Sequence, residues 1–251
     1  MVSAPEYRQL PDGSQRAYDR VMGAPGVVFL HGLMSDRGGT KAAALKDHCR
    51  ARGYGFVSFD MFGHGASSGR FEDGTISRWT ADAVAVLDGL TTGPQILVGS
   101  SMGGWVMVKT ALARPQRLAG LIGIAVAPDF TEDFLGALND DQRAQLQTKG
   151  IVPVQSDCDT RPYPISRALI EDGRANRVLS GPVAITCPVR LLHGQQDTSV
   201  DWRKSVRLAE KIEGSDVEVV LIKDGDHRLS RPQDLHKLCA AVDGLVAKVQ
   251  Q

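Results

Sequence analysis

The stretch Ile96-Leu97-Val98-Gly99-Ser100-Ser101-Met102-Gly103-Gly104-Trp105 restricts the fold more than any other part of the chain. An apolar run reads as a buried strand, breaks into Gly-x-Ser-x-Gly centred on Ser101, and leads at once into an amphipathic stretch, 105–112. A turn this tight leaves almost no room for side chains two residues before and after the serine, where Gly99 and Gly103 stand. Gly104 lets the following helix pack close to the sheet. The strand–turn–helix context is that of a nucleophile elbow, with Ser101 Oγ raised above the carboxyl end of a sheet and facing free helix N–H groups.

Around this element the chain alternates. Residues 6–10 and 15–21 flank Pro11-Asp12-Gly13 and predict a hairpin at a sheet edge. Apolar runs at 27–30, 56–59, 96–98 and 118–126 predict buried strands, separated by helical patterns at 39–52 and 75–90. Gly53 ends the first helix, and Trp79, Ala83, Val86, Leu87 and Leu90 share one face of the second. Alternation resumes with a strand at 189–192, a helix at 201–212 and a strand at 217–222. Ser230-Arg231-Pro232-Gln233 reads as a capping box opening a last helix, whose Leu235, Leu238, Cys239, Val242, Leu245 and Val246 recur at helical spacing. The pattern predicts an α/β fold, one domain over 1–251, with a mostly parallel sheet covered by helices on both faces. Between the two halves, 128–188 holds several prolines, helical candidates near 140–148 and 166–176, and no clear strand. So long an interruption in a compact domain predicts a small cap or lid.

A serine hydroxyl needs a base within hydrogen-bond reach, and the chain has six histidines. His31 and His64 lie in turns, where bracing the backbone is their expected role, and His48 and His236 lie within helices. His193 closes an apolar strand and reads as buried and structural. His227 follows the last strand in a polar turn at the sheet's carboxyl edge, where catalytic groups of open α/β sheets gather. The order Ser…Asp…His makes it the expected base. Asp197, on the turn between them, is the expected orienting acid. Asp201 reads better as the start of a helix, and Asp226 only neighbours the base along the chain. Backbone N–H groups of Met102 and Leu33 are the expected oxyanion donors. Met34 and Trp105 either line an acyl pocket or belong to the core.

The remaining features exclude rather than assign. Lys plus Arg equals Asp plus Glu at 29 each, so no charge excess favours nucleic acid or an anionic membrane. Cys49, Cys158, Cys187 and Cys239 lie far apart and read as reduced thiols. No phosphate-binding glycine loop follows a strand and no metal-ligand spacing is present, so no cofactor or metal is expected. No signal stretch, presequence or membrane-spanning run is visible; a soluble, cytoplasmic protein of bacterial type, or a processed form from a mitochondrial matrix, is expected.

The stretch 93–105, Met34-Ser35-Asp36 with Gly39-Thr40-Lys41-Ala42, Leu121-Ile122-Gly123-Ile124-Ala125, Cys187-Pro188-Val189-Arg190-Leu191 and Asp226-His227-Arg228 together resemble an α/β-hydrolase family known in animals as mitochondrial. Its members are described as palmitoyl-protein thioesterases and as mycophenolic acid acyl-glucuronide esterases. The resemblance implies the α/β-hydrolase fold, hydrolysis of an ester or thioester on a metabolite or lipidated protein, and the roles of nucleophile, acid and base on Ser101, Asp197 and His227. It is weak over 131–181, the part that would shape a substrate pocket. Acyl transfer and C–C cleavage would use the same residues, and a ligand-binding protein could reuse the scaffold.

Overall fold

The structure, a computed structural model, describes residues 4–156 and 159–249; Cys158 lies outside them. Ten strands and eight α-helices follow one another from β1 (Glu6–Gln9) and β2 (Gln15–Val21) to α8 (Pro232–Val249) among these residues. The first two strands form the expected edge hairpin, antiparallel to each other, and β2 also runs antiparallel to β4 (Gly55–Phe59). All other pairings in the main sheet are parallel, in the order β1-β2-β4-β3-β5-β6-β9-β10. Here β3 is Gly26–Leu30, β5 Gln95–Ser100, β6 Leu118–Ile124, β9 Val189–Gly194 and β10 Val217–Ile222.

The central strands are buried on both faces, and this explains why they read as continuous apolar runs. Side chains still alternate across the pleat. Val28, Leu30 and Leu97 face a core shared with α2 (Ile76–Leu90) and α3 (Met102–Ala113). Val27, Phe29, Ile96 and Val98 face a second core with α1 (Thr40–Arg52) and α8. Gly53 closes α1 at φ 74°, a left-handed conformation that glycine adopts without steric cost. Thr75 caps α2 by accepting from Arg78 N, and the predicted face of that helix, Trp79 to Leu90, is buried. The helix predicted over 201–212 forms as α7 (Arg203–Lys211).

Two local expectations fail for identifiable reasons. The capping box at Ser230 does not form: the Ser230 hydroxyl donates to Arg228 O, and the Asp234 carboxylate instead accepts from Arg231 N at 3.2 Å. The Arg231 guanidinium also grips Asp234, so the charged pair takes the position that Ser230 and Gln233 would have used. In the second case, the segment between β6 and β9 contains a strand pair, β7 (Ile151–Ser156) and β8 (Asp159–Ser166), where none was expected. Its prolines argued against strands, yet Pro153 stands opposite Pro164 in a separate two-stranded ribbon. Each strand of such a ribbon has an unpaired edge, so a missing N–H need not break a ladder. Around the ribbon lie α4 (Phe130–Ala137), α5 (Asp140–Lys149) and α6 (Arg167–Ala175). The Asp129 carboxylate, just before α4, accepts from Val178 N and Leu179 N at 2.9 and 3.0 Å, tying the start of this insert to its end.

Candidate active site

Ser101 sits between β5 and α3 with φ 54° and ψ −119°, a conformation that an L-residue adopts only when its surroundings impose it. Three backbone hydrogen bonds do so: Ser101 N donates to Ile124 O, and Ser101 O accepts from Gly104 N and Ala127 N. The two flanking glycines are sterically required. A Cβ on Gly99 would overlap Gly103 O, and one on Gly103 would overlap the carbonyls of Leu30 and His31. The same closeness that forbids side chains presses the β3–α1 turn against the serine: a Cβ on Gly32 would lie 3.4 Å from Ser101 Cβ.

The three side chains singled out in the sequence meet at the carboxyl edge of the sheet. Ser101 Oγ is 3.1 Å from His227 Nε2, and His227 Nδ1 is 2.7 Å from Asp197 Oδ2. The carboxylate can only accept, so Nδ1 carries the proton and Nε2 is left to accept from the serine. The Asp197 side chain is fully buried while the His227 side chain is 17% exposed. Burial alone would raise the Asp197 pKa. Hydrogen bonds from His193 and His227, the His227 charge and the Val200 N–H outweigh it and hold the group well below the usual carboxylate range. The loops carrying Asp197 and His227 are locked together, since a Cβ on Gly194 would overlap Gly225 O. Gln196 N also donates to Gly225 O, at 2.9 Å.

The other candidates fall elsewhere. Asp201 accepts from Arg203 N at the start of α7, and Asp226 accepts from Leu229 N in its own turn. His48 pairs with Asp243 between α1 and α8, and His236 is exposed on α8. His31 and His64 are buried and brace backbone. His31 Nε2 accepts from Met61 N at 3.0 Å, and His64 Nε2 accepts from Met34 N at 3.3 Å. Burial pushes the His31 pKa down to about 4; burial and the neighbouring His31 push that of His64 to about 3. Both rings therefore stay neutral and able to accept at neutral pH. Neither Leu33 N–H nor Met102 N–H has a hydrogen-bond partner among the described residues. Met102 opens α3, where the first N–H groups have no partner within the helix.

A cavity of about 590 Å³ opens over Ser101 and His227. Its floor includes Leu33, Met34 and Met102, and its roof is the insert, through Phe130, Phe134, Val154 and Tyr163. Trp105 is not part of it: the indole is buried, donates to Asn176 O and packs edge-on against Phe130, so of its two readings the core one holds. Sequence reasoning missed the roof residues, although Phe130 and Phe134 stand one helical turn apart. It also missed that His193, four residues before Asp197, bonds the same carboxylate. Among the described residues no group of three or more His, Cys, Asp and Glu side chains could hold a metal ion, and no helix is long and apolar enough to cross a membrane. Cys49, Cys187 and Cys239 are free thiols.

Sheet order, elbow and cavity define an α/β-hydrolase. A family model described as serine aminopeptidase, S33, matches residues 25–151. The mitochondrial palmitoyl-protein thioesterase ABHD10 of Mus musculus is 39% identical over 235 residues, 93% of this chain and 79% of that protein. Its Homo sapiens counterpart is 35% identical over 241 residues, 95% of this chain and 79% of that one. The solved structure of mouse alpha/beta hydrolase domain-containing protein 10 superposes with a TM-score of 0.90 at 36% identity, covering 98% of this chain and all (100%) of that one. A hydrolase from Agrobacterium vitis S4 reaches the same TM-score, 0.90, at 40% identity over 97% and 98% of the two chains. The chain belongs to the ABHD10 family of α/β-hydrolases.

Proposed function

We propose that the protein hydrolyses carboxylic esters and thioesters through an acyl-enzyme on Ser101. The observation that carries this reading is the relay of 3.1 and 2.7 Å from Ser101 through His227 to buried Asp197, opening onto the cavity. Ser101 Oγ attacks the acyl carbon while His227 Nε2 takes its proton. Asp197 holds the ring in the required tautomer and stabilises the imidazolium as it forms. The partnerless N–H groups of Leu33 and Met102 receive the negative charge developing on the acyl oxygen. His227 then returns its proton to the leaving alkoxide or thiolate, and water repeats the sequence on the acyl-enzyme.

The insert acts as a small cap on the single domain, and its apolar lining takes the acyl group. The printed name of the relatives, palmitoyl-protein thioesterase, favours a thioester with an extended apolar chain. The test is kcat/KM across acyl chain length on matched oxygen esters and thioesters, with Ser101→Ala as blank. Each methylene buried contributes about 0.8 kcal/mol, so two more should raise kcat/KM roughly tenfold while the pocket lasts. A climb to long chains, steepest on thioesters, is expected. An early peak with bulky aryl or sugar esters preferred would replace the long-chain substrate by a compact metabolite ester.

A further inference from the structure

The buried imidazole of His193 is a titratable group that the reaction above does not use. Both His193 and Ser205 are fully buried. His193 Nε2 lies 3.0 Å from Asp197 Oδ2 and 3.2 Å from Val200 O. Both of those oxygens can only accept, so Nε2 carries the proton. In the neutral ring Nδ1 then accepts, and the Ser205 hydroxyl, 2.7 Å away, donates to it. The Asp197 carboxylate is saturated as a result. Oδ2 receives His193 and His227, while Oδ1 receives Ser199 N and Val200 N at 2.9 and 2.8 Å.

We infer that His193, its tautomer fixed by Asp197 Oδ2 and Val200 O and its ring held by Ser205, is a positioning residue that aims Asp197 Oδ2 at His227 and shares its charge. The inference rests on the proposed roles of Ser101, His227 and Asp197. Two donors on one oxygen have two consequences. The carboxylate cannot rotate away from His227 without breaking the His193 bond in a place that water does not reach. The His193 N–H also draws electron density from Oδ2, so the His227 imidazolium is stabilised less than by a carboxylate bound to His227 alone. Charged groups also lie near the pair, among them Arg228, next to His227 along the chain. The Asp226 carboxylate turns to Leu229 N, Lys41 Nζ donates to Arg228 O beside His227, and Lys204 beside Ser205 pairs with Asp133.

The test uses the full chain and a good ester substrate. His193→Leu should lower kcat about tenfold or more, the usual consequence of losing a hydrogen bond to a charged group, with KM changed less than about twofold. Its acid limb of kcat/KM should move to higher pH, because His227 then faces a more basic carboxylate. His193→Gln, which can place an amide N–H where Nε2 stood, should recover most of the rate and return the limb. Ser205→Ala, a smaller change should the leucine variant not fold, should shift kcat and the limb in the same direction by a lesser amount. An unchanged kcat and limb in folded His193→Leu, or a rate loss with the limb in place and no recovery by glutamine, overturns the positioning role. Those outcomes count against it alone when Ser101→Ala is inactive; a Ser101→Ala protein that still turns over removes the underlying triad as well.

Discussion

The floor and the roof of the cavity are built on different principles. The floor is assembled from turns at one sheet edge, where backbone approaches so closely that Gly99, Gly103 and Gly194 admit no side chain. Buried hydrogen bonds that His31, His64 and Asp197 accept pair most of its polar groups, while the N–H groups of Leu33 and Met102 stay without partners among the described residues. The roof is an insert of three helices and a two-stranded ribbon, presenting Phe130, Phe134, Val154 and Tyr163 to the cavity. It is held to the body through the shared apolar core, which takes in Phe130, Leu169, Ile170 and Val178, and through polar contacts such as Ser77 N to the Asp172 carboxylate and the Asn176 amide to Ser77 Oγ. A floor under such constraint leaves little freedom to vary without losing the reaction. On the proposed mechanism, changing the roof's apolar side chains alters the substrate while the chemistry below stays the same.

The largest effect should come from the floor. Ser101→Ala should cost at least about 10⁴-fold in kcat, with the thermal melt unchanged, measured on any ester the wild type turns over. Asp197→Asn should cost on the order of 10³- to 10⁴-fold, because the amide can present its N–H and stabilise the wrong His227 tautomer. If either variant keeps near wild-type turnover, the contrast between a chemical floor and a selective roof collapses.

The floor should also be the acid-labile half. His31 and His64 are held neutral in the fold, with pKa values of about 4 and about 3, whereas an unfolded histidine takes its proton near 6.5. Below that pH the unfolded chain binds more protons than the native one, so stability falls as pH drops from about 6.5 towards 4. Each histidine contributes a loss on the order of 3 kcal/mol over that range. Denaturant melts at pH 7, 5.5 and 4 should show it, and His64→Gln, which keeps an acceptor for Met34 N without titrating, should remove about half. Asp197 acts in a separate window. Its carboxyl is depressed in the fold, so the stability it contributes is present above about pH 3.9 and is lost only below. A melt flat from pH 7 to 4 contradicts the buried-histidine account.

The smallest effect belongs to the roof. Phe134→Ala should leave kcat on short acyl esters within about twofold and lower kcat/KM on long ones roughly tenfold, the loss of apolar area against the chain. Equal losses on both would mean that the roof supports the floor rather than selecting substrates.

Much of the floor was legible because its constraints are local in sequence. A glycine two residues either side of Ser101, a strand before and a helix after are readable within ten residues. The order Ser101, Asp197, His227 then follows from three strand-end turns. The roof was less legible because its signals conflict locally. Pro153 and Pro164 argue against strands until they are seen opposite each other on a free-standing ribbon, and α4 begins at a left-handed Asp129 without a side-chain cap. The helices α5 and α6, whose Asn139 and Ser166 caps are local, were expected within a residue or two of their bounds.

The sequence by itself determined the alternation of strands and helices, the tight turn that exposes Ser101, and which histidine and aspartate follow it on strand-end turns. Those features depend on residue period and on steric limits within a few neighbours. Only the tertiary structure decided which groups touch across the chain: His227 on Asp197, His64 on the Met34 backbone, and the roof aromatics over Ser101. Such contacts depend on how closely separate elements pack, and no local pattern encodes the distance between two turns thirty to a hundred residues apart.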